Sequence, residues 1–102
     1  MQKLVRDRIP KIIMEDGKQP NYRKLDHDEY IRYLRIKLVE ESNEVVDAQS
    51  HEELVEEMAD LQEVLDCLIQ AKAMTKQELR EIQEKKNEKR GSFKEKFLLV
   101  TE

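Results

Sequence analysis

The stretch from residue 26 to residue 72, DHDEYIRYLRIKLVEESNEVVDAQSHEELVEEMADLQEVLDCLIQAK, decides the fold. Its apolar residues recur at helical rather than strand spacing. The first half carries a stripe at Ile31, Leu34, Leu38, Val45 and Ala48, and the second half one at Leu54, Leu61, Val64, Leu65 and Leu68. Each half opens on a capping-box pattern, Asp26 with Glu29 and Ser50 with Glu53. In such a box the short oxygen side chain accepts the N3 amide and the glutamate reaches back to the cap amide. Thr75 with Glu78 repeats the pattern further on. The three boxes predict helices over about 27–49, 51–72 and 76–90. The short joint at 49–51 predicts an antiparallel pairing of the first two.

Outward from this stretch, the chain is punctuated by two glycines and two prolines, all where helices should break. Pro10 falls early in a short helix running through Glu15 and Asp16, Gly17 ends it, and Pro20 prevents a restart. Residues 18–25 read as a loop, and Gly91 closes the last long helix. Phe93, Phe97, Leu98, Leu99 and Val100 form an apolar tail, expected to pack on this subunit or on a neighbour.

A chain of 102 residues makes one domain, 1–102, and a domain this small is often marginal alone. Charged residues reach 41%, high for a globular monomer, yet the apolar residues are periodic, which excludes a disordered chain. The fold class expected is therefore an all-α helical bundle built on an antiparallel helix hairpin and completed by oligomerisation. The balance of 19 basic and 23 acidic residues, net −4, gives no support for a nucleic-acid polymer as partner. No apolar run is long enough to span a membrane, and the opening residues Lys3, Arg6, Asp7 and Arg8 are not followed by the apolar core of a signal peptide. A cytoplasmic protein is expected. Cys67 is the sole cysteine and has no internal disulfide partner; on its largely apolar helix it reads as a structural thiol. His27 and His51 follow helix caps, with no partner at zinc-ligand spacing.

Both apolar stripes contain the same violation. The position expected between Leu38 and Val45 holds Glu41, and that between Leu54 and Leu61 holds Glu57. At about 100° per residue, Glu44 and Asp60 each flank their stripe at about 60° from these acids. An ionised carboxylate facing a core is costly unless paired or bound to a cation. Antiparallel packing would bring both pairs to mid-hairpin, where four carboxylates repel and their pKa values should rise. A hard divalent cation resolves this, and oxygen ligands suit Mg²⁺, with Mn²⁺ as an alternative. The opposing reading is that Glu41 and Glu57 pair with Lys or Arg from elsewhere. The neighbouring acids Glu40, Asp47, Glu52, Glu53, Glu56, Glu63 and Asp66 read as solvated-face charges.

Residues 40–44, Glu-Glu-Ser-Asn-Glu, are followed after twelve residues by Glu57-Met58-Ala59-Asp60. This EExxE…ExxD arrangement resembles the all-α nucleoside triphosphate pyrophosphohydrolases, the MazG-like and phosphoribosyl-ATP pyrophosphohydrolase-like superfamily. The opening residues 3–10 and the closing residues 89–93 resemble a small stand-alone branch of it. The resemblance implies Mg²⁺-dependent cleavage between the α and β phosphates of a nucleoside triphosphate or related nucleotide, giving a monophosphate and pyrophosphate. It implies metal ligation by Glu41, Glu44, Glu57 and Asp60, with Glu40 beside them helping a second metal or orienting the attacking water. It also implies that Lys86 and Arg90, one turn apart on the following helix, contact phosphate; a solvated helix end complementing the helix dipole is an equal reading. Lys3, Arg6 and Arg8 form a basic cluster that either reaches phosphates, in this or a neighbour's site, or makes salt bridges. A homodimer or homotetramer is expected. Two alternatives stay open: phosphoribosyl-ATP hydrolysis in histidine synthesis, and a non-catalytic helical dimer that binds metal or nucleotide.

Overall fold

The computed structural model describes residues 2–100; positions 1, 101 and 102, the ends of the expected 1–102 domain, lie outside the described residues. Among these the chain is all-helical, with four helices and no strand: α1 (Ile9–Glu15), α2 (His27–Asp47), α3 (His51–Ala71) and α4 (Lys76–Arg90). The three long helices begin where the capping patterns place them and end within two residues of the expected positions.

The caps explain these starts. The Asp26 carboxylate accepts the Glu29 amide at 2.8 Å, and the Glu29 side chain accepts the Asp26 amide at 3.3 Å, so both arms of the box close. Arg23 braces the same glutamate through two hydrogen bonds, 3.0 and 2.7 Å. Together these contacts lower the Glu29 carboxyl to about 2, with the Arg23 hydrogen bond the main cause. The other two boxes close on one arm only. Ser50 accepts the Glu53 amide and Thr75 the Glu78 amide, but Glu53 reaches one residue too far back, to the Gln49 amide at 2.8 Å. For α1, Pro10 sits in the first turn, where its missing N–H has no helical partner to lose. Gly17, at φ +82°, then turns the chain out of the helix while donating to the Met14 carbonyl.

Helices α2 and α3 pack on one another, and no other pair of helices makes extensive contact. Their shared face holds the core, which is small: among the described residues only Leu34 and Val64 are buried, at 3% and 9% exposure. Around them Ile31, Leu38, Val45, Leu61, Leu65 and Leu68 are half-buried. Every residue of α4 is exposed. The apolar tail is exposed as well, Phe93 to Val100 at 80% or more for each apolar side chain, so it does not pack on its own subunit. The far side of α2 carries a second apolar stripe, Ile36, Val39 and Val46, that the reading of a single core stripe missed. A surface depression of about 400 Å³ lies along it.

The radius of gyration is 17.7 Å, against about 13 Å for a compact domain of this length. The accessible surface is 9777 Å², against about 6,100 Å² for a folded monomer of this mass. No described helix is long and apolar enough to cross a membrane.

Candidate metal centre

Glu41 and Glu57 lie on the packed faces of α2 and α3, so helix packing itself brings them together. One carboxylate oxygen from each of Glu41, Glu57 and Asp60 lies within 4.8 Å of the others, and all three residues are half-buried. The ligands of an octahedral Mg²⁺ stand at about 2.1 Å from the ion, so opposite ligands are about 4.2 Å apart. Of three such ligands at most two can be opposite, and neighbouring ones stand about 3 Å apart, so the three oxygens are gathered to the scale of one ion's shell but would have to draw closer to share it. The donor set is entirely carboxylate oxygen, which suits a hard divalent cation and not a soft one.

The electrostatics are uneven. Lys37 extends its Nζ to Glu40 at 3.3 Å and to Glu41 at 3.6 Å, the geometry of residues one turn apart on a helix. Arg6, from the amino-terminal segment, reaches across to Asp60 at 2.6 Å. Among the described residues Glu57 has no ion pair. Its carboxyl is pushed up from the ordinary glutamate value, first by burial and then by the charges of Glu44, Asp60 and Glu41. Five carboxylates, Glu40, Glu41, Glu44, Glu57 and Asp60, therefore share two cations, which leaves exposed Glu44 and half-buried Glu57 without an ion pair among the described residues.

Glu44 acts on Glu57 through its charge but is exposed and stands outside the three-residue group. Glu40 is half-buried beside the group and held by Lys37. Lys86 and Arg90 are exposed on α4, which does not pack at the cluster within the same chain. Of the two cations that do meet the acids, Lys37 was not picked out from sequence, whereas Arg6 was read as one of a cluster that reaches phosphates or makes salt bridges, without its partner Asp60 being named. Lys37 had a local signal, its spacing from Glu40 and Glu41; the contact of Arg6 with a residue 54 positions away had none.

Besides Glu40 and Glu53, two more acids read as solvated are more engaged than that. Glu63, though exposed, lines the groove beside Asp60 and accepts from the Cys67 thiol at 3.5 Å. Asp66 is half-buried, accepts from Gln62 and pairs with Lys76 at 3.6 Å. Cys67 itself is half-buried, and burial pushes its thiol up, away from nucleophilic use. His27 and His51 are exposed.

Comparison with protein-family models, with curated proteins and with solved structures finds no match to this chain.

Proposed function

We propose that the chain is a Mg²⁺-dependent nucleotide pyrophosphohydrolase, cleaving a nucleoside triphosphate or a related nucleotide between the α and β phosphates to a monophosphate and pyrophosphate. The observation that carries this reading is Glu57: a half-buried, unpaired carboxylate within 4.8 Å of two others, on a face that should be apolar. A fold keeps such a group when a cation compensates it. The EExxE…ExxD spacing of residues 40–60 supports the same reading through its resemblance to the MazG-like superfamily.

In this proposal α2 and α3 form an antiparallel hairpin. Support comes from the contacts along it: Tyr30, early in α2, adjoins Cys67, late in α3, while Glu41 meets Glu57 midway. Glu41, Glu57 and Asp60 would hold the metal, and Glu44, whose charge bears on Glu57, would complete the set. A bound Mg²⁺ would supply neutralisation of the phosphate charge and a water of lowered pKa. Glu40 takes the proton of the attacking water at a carboxylate oxygen. Lys37, bridging Glu40 and Glu41, fixes the position of that base relative to the ligands. Lys86 and Arg90 neutralise phosphate charge from α4, and because α4 is unpacked in a single chain, this role rests on assembly into a homo-oligomer.

The test is a panel of nucleoside triphosphates together with phosphoribosyl-ATP, read as pyrophosphate released with and without Mg²⁺. The proposal expects Mg²⁺-dependent release from at least one nucleoside triphosphate. Release from phosphoribosyl-ATP alone would narrow the activity to histidine synthesis. No release from any nucleotide would replace the enzyme with a binding module.

A further inference from the structure

The basic segment ahead of α1 has no regular structure, yet it is tied to the α2–α3 pair at three points, two of them beside the acid cluster. Gln2 accepts a hydrogen bond from the Tyr33 hydroxyl at 3.3 Å. Leu4 is half-buried and, with Val5, Arg6 and Asp7, closes one side of a cavity of about 160 Å³ whose other walls include Tyr30, Glu41, Asp60 and Val64. Arg6 places a guanidinium N–H 2.6 Å from the Asp60 carboxylate.

We infer that residues 2–8 form a strap that closes the metal centre, with Arg6 occupying the acid cluster as a resident cation that a divalent cation must displace. This rests on the metal reading above. The geometry argues for competition. A divalent ion held by Asp60 would stand within a few ångströms of the Arg6 guanidinium, on the same carboxylate, and like charges at that distance repel. An exposed ion pair is weak, so it holds the strap without locking it. Size argues the same way. Sites that enclose a small molecule run to about 300–1,000 Å³, and the cavity under the strap has about half the lower figure. With the strap down, the space beside Glu41 and Asp60 is too small for a nucleotide. With it lifted, the groove opens and Arg6 loses its carboxylate partner, leaving a cation on a short tether beside an incoming phosphate chain.

The experiment titrates Mn²⁺ into the full-length chain and into Arg6→Gln, Arg6→Lys and Arg8→Gln, after matching helicity and oligomeric state. Hydrogen exchange at amides 3–8 is followed at each end point. Removing the resident cation should tighten Mn²⁺ binding by about two- to fivefold in Arg6→Gln, the range an exposed ion pair sets. Arg6→Lys, which keeps the charge, should stay near the parent, and so should Arg8→Gln, which lies on the strap without an ion pair among the described residues. In the parent chain Mn²⁺ should speed exchange at the strap. An unchanged or weaker affinity in Arg6→Gln, an equal shift in Arg8→Gln, or strap amides indifferent to Mn²⁺ overturns the strap while leaving the metal centre standing. No Mn²⁺ binding in any of the four chains overturns the metal centre and the strap with it.

Discussion

Glu57 concentrates the strain of the site at the scale of one residue. Its carboxyl titrates above the ordinary value of 4.5 because burial and neighbouring acids oppose its charge. The native state therefore holds more protons at Glu57 than the unfolded chain does, in the window between 4.5 and the raised value. Stability falls as pH rises through that window and stays reduced above it. Glu57→Gln should raise the melting temperature of the metal-free protein at neutral pH, and the gain should vanish as pH is lowered toward 4.5, where the native carboxyl is protonated too. The same change should remove the stabilisation by millimolar Mg²⁺ or Mn²⁺ that linkage predicts for the parent chain. A metal-free Glu57→Gln variant less stable than the parent across this range would contradict the account of this residue. In activity, alanine at Glu41, Glu57 or Asp60 should cost on the order of a hundredfold or more, and pairs of these changes should not add, since they dismantle one site. Glu52 and Asp47, both exposed, are the controls and should lose little. The three clustered acids were legible because each is placed against an apolar stripe. The partner of Arg6 was not, because a contact that spans the chain leaves no local pattern.

At the scale of the element, the helix starts were the most legible feature, since Asp26, Ser50 and Thr75 all accept an N3 amide. Which box closes fully depends on where a flexible glutamate side chain goes, and sequence spacing does not decide that. The full closure at Asp26 has a consequence in acid. Glu29 is held at about 2, well below its ordinary 4.5. Its contribution is present above about 4.5 and is lost as pH falls toward 2. Glu29→Gln should therefore flatten the part of the acid unfolding curve below pH 4.5, measured by helical circular dichroism. An unchanged acid limb would show that the Arg23–Glu29 contact does not form in solution. Helix α4 poses a different problem. Its 15 residues are all exposed, and an isolated helix of about that length is marginal in water. Its Thr75 cap and the Lys89–Arg90 ending help but do not replace packing.

The whole molecule exposes roughly 3,700 Å² more surface than a compact chain of its mass should, from 9777 Å² observed. Obligate dimers bury about 1,000–2,500 Å² per chain, so the excess is ample for a symmetric contact. The candidates for that contact are the exposed tail, the stripe at Ile36, Val39 and Val46, and α4. Sedimentation at micromolar concentration should show a homo-oligomer, and Phe97→Asp with Leu99→Asp should shift it toward smaller species; a stable monomer would remove both the assembly and the phosphate role of Lys86 and Arg90. The sequence marked the tail as apolar but not where it goes, because periodicity reports which face is buried and not which copy buries it. The reaction itself is tested most directly by ³¹P nuclear magnetic resonance of a nucleoside triphosphate incubated with the protein and Mg²⁺. Paired growth of monophosphate and pyrophosphate signals, abolished by a chelator and by Glu57→Gln, is the expected result; orthophosphate with a diphosphate, or equal turnover by Glu57→Gln, would contradict the proposed reaction.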